Sequence, residues 1–122
     1  MFILRRKGTF RISEATDNQC KAKGHAAGYT YEITVVVDKL DAQGFAIDHN
    51  EINDVIQNNP IKGSCEELCE QIFSRVEKLK FAGTLLAYQS VIKPITAKKE
   101  AYIEYRWYNP GYKQAKFWLT NI

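Results

Sequence analysis

Cysteine, histidine and long apolar runs are all scarce in this chain of 122 residues. The three cysteines are an odd number at spacings that suit no disulfide framework, which argues against a disulfide-built scaffold. The two histidines rule out any site made from three of them. Nothing approaches the roughly 18 consecutive apolar residues of a membrane span, so no membrane partner is expected. No glycine loop of the phosphate-cradling kind, no Ser-His-Asp pattern, no internal repeat and no low-complexity tract is present. An excess of one charge is missing too: the net charge of +3 is mild. Lys and Arg are scattered, apart from the run Arg5, Arg6, Lys7 and the pair Lys98, Lys99. Nucleic-acid footprints gather such residues on one face, so the scatter argues against a nucleic-acid partner. Met1 leads into FILRRKG, where apolar residues precede basic ones. That is the reverse of a signal peptide, and cytoplasmic residence is the expectation.

What remains is an ordinary globular composition, 45% hydrophobic and 25% charged. The length suits a single domain over residues 1–122. Residues 2–12 alternate apolar and basic side chains and read as a strand. Residues 29–37 give the clearest strand, with Tyr29, Tyr31, Ile33, Val35 and Val37 on one face and Thr30, Glu32 and Thr34 on the other. Between the two lies ATDNQCKAKGHAAG, a polar connection of the kind that carries sites on a strand scaffold. Asp41-Ala42-Gln43-Gly44 reads as a turn, residues 50–57 as a short helix, and Asn58-Asn59-Pro60 as its stop.

The strongest helix signal covers residues 65–80. Ser64 can cap it, Glu67 completes a capping box, and Leu68, Ile72, Val76 and Leu79 form an apolar stripe. Gly83 follows and can help stop the helix. Residues 86–93 and 101–108 read as strands, the second with Ala101, Ile103, Tyr105 and Trp107 on one face. Asn109-Pro110-Gly111 is a turn signal, and residues 112–122 can return as a further strand, so a strand-like extension begins near residue 104. The order predicts an α+β fold: an antiparallel four-stranded sheet with helices on one face.

The segments AGYTYEITVVV and then LDAQGFAID, followed by GSCEEL at residues 63–68, resemble in order the motifs of the 6-pyruvoyl-tetrahydropterin and 6-carboxytetrahydropterin synthases. In that family the second strand is introduced by H-G-H and followed by a G-x-x-(I/V)-D segment, and a later helix opens with P-T-(S/A)-E-x-L. The similarity covers roughly residues 8–103. It implies the T-fold, whose subunits join their sheets into a barrel as trimers, often stacked as hexamers, with sites between subunits. It also implies carbon–oxygen lyase chemistry on a pterin- or purine-like ligand.

The family holds zinc with three histidines, and zinc needs N, S or O donors at about 2.0–2.3 Å. The matching positions here are Glu14, Ala27 and Tyr29, so zinc is expected to be absent and no cofactor takes its place. His25 lies nearby. It reads either as an exposed loop histidine or, with Glu14 and Cys20, as part of a rebuilt site. The family's catalytic cysteine corresponds to Cys20, one residue out of phase. Its Asp-His pair, in L-D-H-x-x-L-N, corresponds to Asp48 and His49 in IDHNEIN. Asp48 reads equally as a helix N-cap with His49 in the first turn. Without zinc to polarise the substrate, Cys20, Asp48 and His49 would lack much of what they act against.

Ser64 and Glu66 stand at substrate-contacting positions of the GSCEEL segment, and Glu66 also suits a helix N-terminus. Where the family has a ring-anchoring glutamate this chain has Lys93, a donor in place of an acceptor, which can face phosphate, carboxylate or solvent. Cys65 and Cys69 share a helix face and read as small apolar core residues. The aromatics Trp107, Tyr108, Tyr112, Phe117 and Trp118, interleaved with basic residues, suit a strand face or an oligomer interface, and resemble a single-strand stacking surface. The overall expectation is a diverged T-fold protein, either a ligand-binding relative of the pterin synthases or a structural or nucleic-acid-binding one.

Overall fold

A computed structural model describes residues 1–11, 28–58, 65–95 and 102–114. They form β1 (Phe2–Arg11), β2 (Gly28–Val37), α1 (His49–Gln57), α2 (Cys65–Glu77), β3 (Leu85–Pro94) and β4 (Ile103–Tyr108). The strands make one sheet in the order β1-β2-β3-β4 with every neighbouring pair antiparallel. The α+β class and the four-stranded antiparallel sheet are as the sequence predicts. No helix among the described residues is long and apolar enough to cross a membrane.

Alternation in β2 sets the two faces of the sheet. Tyr29, Tyr31, Ile33 and Val35 point into one core, together with Ile52 and Ile56 of α1 and Leu68, Ile72 and Val76 of α2. Tyr88 and Ile92 of β3 and the half-buried Ile103, Tyr105 and Trp107 of β4 complete it. Both helices therefore cover the same face. Each fully buried Ile or Leu contributes about 2 kcal/mol of transfer free energy to that layer.

A smaller apolar cluster lies around Val36, Leu86 and Ala87, with Tyr108 packed against it. The register between β2 and β3 shifts at Val36/Val37. An extra residue in one strand breaks the usual alternation there, so that the consecutive Leu86 and Ala87 join one cluster.

Three local readings change in the structure. Thr34, on the polar face by alternation, is buried. It lies in a row across the sheet with Arg5, Gln89 and Arg106, whose long side chains stand beside it. Gly83 lies six residues beyond the end of α2 and serves a close chain approach rather than a helix stop. The end of the described tail, residues 112–114, is not strand; residues 115–122 lie outside the described residues, as does the capping residue Ser64.

Candidate functional site

The β2–α1 connection is built on Asp41. Its Oδ1 accepts from the backbone N–H of Gln43 and of Phe45, both at 2.9 Å, and Gly44 takes the left-handed conformation at φ 90°. Asp48 then caps α1, its Oδ1 accepting from Asn50 N at 2.9 Å, and His49 is the first helical residue. Of the two readings of Asp48 and His49, the helix start is the geometry observed. Both side chains are exposed and, with Asp41, Gln43 and Phe45, line a hollow of about 350 Å³. Loss of the cap in Asp48→Ala is expected to cost about 1 kcal/mol, whereas Asp48→Asn should keep most of the stability. Equal losses in urea unfolding would show that the carboxylate does more than cap.

Lys93 stands on the other face. It is exposed near the end of β3, with its Nζ 5.0 Å from the centroid of the Tyr102 ring. Register places it in a row with Thr30 and Thr9, and it borders a shallow depression of about 370 Å³ with those threonines, Lys7, Glu32 and Val91. Lys7 pairs with Glu32 at 3.9 Å across the strands. Gln57, at the far end of α1, donates from Nε2 to Thr9 O and so sits level with this row on the helical side. His49 is about 12 Å back along the helix at about 1.5 Å per residue. With Lys93 on the opposite face of the sheet, one chain cannot bring Asp48, His49 and Lys93 to the same small ligand. Glu66 is exposed in the first turn of α2, on the helical side as well. Cys20, His25, Glu14, Ala27 and Ser64 lie outside the described residues.

Tyr29 bears directly on the zinc expectation. It is 1% exposed, stacked on Phe10 at 5.3 Å between centroids, and burial raises its phenol pKa. A buried, protonated, stacked phenol is a poor zinc donor. The residue at that position does not fit the family's metal, and Ala27, at another, has no donor to offer. Among the described residues no three His, Cys, Asp or Glu side chains gather into a metal-holding group.

One buried polar group escapes a reading from sequence. Cys69, Tyr88 and Ser90 meet between α2 and β3, all essentially inaccessible. Tyr88 Oη and Ser90 Oγ have no hydrogen-bond partner of good geometry, although Ser90 comes close enough to both Cys69 and Tyr88 to ease their deprotonation slightly. Burial dominates. With Glu66 and Glu70 nearby it pushes the Cys69 thiol up to about 11, and it raises the Tyr88 phenol as well. A thiol held protonated is not a nucleophile at neutral pH.

The sign of the linkage follows from these raised values. Below the ordinary thiol pKa both folded and unfolded chains keep the proton and stability is full. Between about 9 and about 11 the unfolded chain loses it first, so stability falls as pH rises. Unfolding measured from pH 8 to pH 11 should show a loss of roughly 2 kcal/mol from this group, largely absent in Cys69→Ala. A Cys69→Ala profile as steep as the parent would refute the assignment to Cys69.

The amphipathic patterns that make the sheet and helices are plain in the sequence. The Cys69–Tyr88–Ser90 meeting is not, because it depends on the register between a helix and a strand. Against known proteins, no family model, no curated protein and no solved structure matches the chain.

Proposed function

We propose that the chain is a diverged T-fold subunit related to the 6-pyruvoyl-tetrahydropterin synthases, binding a pterin- or purine-like ligand between subunits without the family's zinc-dependent lyase chemistry. The observation that carries this reading is the architecture: a β-β-α-α-β-β order, a fully antiparallel β1-β2-β3-β4 sheet, and both helices on one face. Among the described residues the two outer strands, ten and six residues long, are unpaired on one side. Such edges favour pairing with another chain. Joined edge to edge, copies would form a ring with the helices outside.

The separation of Asp48 and His49 from Lys93 fits a site completed by a second copy. The lost donors at Ala27 and Tyr29 argue against the inherited reaction. What the chain retains at Asp48 and His49 is hydrogen-bonding capacity at the exposed start of α1.

Light scattering on the full chain should give a trimer or hexamer, and elemental analysis no stoichiometric zinc. Thermal unfolding with 7,8-dihydroneopterin triphosphate should show an upward shift that grows with ligand concentration, with no release of triphosphate. A monomer at all concentrations with no shift would overturn the reading. One zinc per chain with turnover would restore the lyase assignment in its place.

A further inference from the structure

The scattered basic residues of the sequence are not scattered in space. β1, β3 and β4 place Arg5, Lys7, Arg11, Lys93 and Arg106 on the face of the sheet that the helices leave open. Among the described residues only Glu32 and Glu104 oppose them there, Glu32 against Lys7 at 3.9 Å and Glu104 against Arg106 at 3.2 Å. Arg5 and Arg11 are exposed and form no ion pair among the described residues. The two helices have the opposite sign: α1 and α2 carry Glu51, Asp54, Glu66, Glu67, Glu70 and Glu77 against Arg75 alone, with Arg6 of β1 also turned to their side. A mild net charge thus conceals a basic sheet face and acidic helices, and among the described residues the basic face is the one that no helix covers.

We propose that this open face binds single-stranded nucleic acid. Charge complementarity supplies the attraction, because each neutralised phosphate releases counterions. The spread of the cations selects a polymer over a single phosphate group. Arg5 to Arg11 spans about 20 Å along β1, and β1 to β4 spans about 14 Å across the sheet. Thr9 and Thr30 place hydroxyl donors between the cations. Tyr102, 54% exposed and backed by Lys93, offers a ring on which a base can stack. A second copy laid with its acidic helices against this face is the competing occupant. The hydroxyl donors and the exposed ring favour the nucleic acid, since ion pairing between copies would use neither. The inference does not use the pterin ligand; in a ring with the helices outside, this same face would line the channel.

The test is fluorescence anisotropy of a labelled oligothymidine of about 20 nucleotides with the full chain, at about 50 and about 200 mM salt. Three to five phosphate contacts predict a slope of log affinity against log salt of about −2 to −3.5. The variant Arg5→Gln/Arg11→Gln/Lys93→Gln should bind at least about tenfold more weakly at low salt, with a slope shallower by about 2. Tyr102→Ala should lose about fivefold or more, which a bare polyphosphate would not register. Lys78→Gln/Lys80→Gln, beyond the end of α2, should bind as the parent does.

Melting curves confirm that each variant is folded. Any of four results overturns the proposal: no saturable binding near 100 μM at low salt, an equal loss in the Lys78/Lys80 variant, equal competition by tripolyphosphate at matched phosphate concentration, or salt-sensitive self-association that the oligonucleotide does not displace.

Discussion

Phe73→Ala is expected to cost the fold about 3–5 kcal/mol, out of a total that for a domain of this size is about 5–15 kcal/mol. The side chain projects from α2 into three aromatic rings, with centroids 4.9 Å from Tyr88, 5.3 Å from Tyr105 and 5.3 Å from Trp107. Tyr105 and Trp107 belong to β4, a short edge strand, so Phe73 is a principal tie between that strand and the helical layer. Truncation removes the transfer free energy of the ring and leaves a void that neighbouring rings, fixed on two paired strands, cannot easily fill. Aromatic pairs add about 0.5–1.5 kcal/mol beyond area alone. Urea unfolding should show a much lower midpoint with little change in slope, and Phe73→Leu should recover a good part of the loss. A cost under about 1 kcal/mol would mean that β4 is held by its pairing with β3 and not by the ring cluster.

Gly83→Ala is the second large effect, expected near 3 kcal/mol. A Cβ there would meet Asp38 Oδ1, and would stand 2.8 Å from Lys39 N and 3.0 Å from Lys39 Cβ. Two of those three atoms cannot swing away. The same Asp38 oxygen accepts from Thr84 N at 2.7 Å, and Ala82 N donates to Ala46 O at 2.8 Å. The segment entering β3 is thus stitched to the segment leaving β2. Forcing them apart combines overpacking, about 1–3 kcal/mol, with a weakened hydrogen bond. Gly44→Ala is the comparison: its φ of 90° makes alanine strained, but nothing lies within 4 Å, so the cost should be about 1 kcal/mol. Thermal or chemical unfolding of the two variants separates the causes. If Gly83→Ala proves the milder, the close approach is not what fixes that glycine.

Gly83 also shows where the sequence stops being informative. Its neighbours suggest a helix terminus, but its contacts are with residues more than forty positions earlier, and no local pattern carries that. Tyr29 to Val37 is the opposite case: a period of two fixes both the strand and its inner face. The stripe Leu68, Ile72, Val76 is as direct, and the helix it announces ends at Glu77, three residues sooner than the stripe suggests. Asp48 shows an intermediate case. IDHNEIN supports a catalytic pair and a helix cap alike, and only the hydrogen bond to Asn50 N shows which geometry is adopted. The basic face needed register: Arg5, Lys93 and Arg106 are far apart in sequence and are seen to share one face only when three strand pairings are known.

The run Arg5, Arg6, Lys7 sits in the middle of the ten-residue edge strand β1. Two copies meeting β1 to β1 about that run would set arginine against arginine and Arg5 against Lys7, a repulsive arrangement along the most extended edge the chain has. The other edge, β4, carries Glu104 beside Arg106 and offers no such conflict. Self-pairing of β1 about a two-fold axis is thereby penalised, while contact between unlike edges is not. Three cations on one strand thus steer any contact between copies away from β1 against β1, toward pairings in which β1 meets an unlike edge.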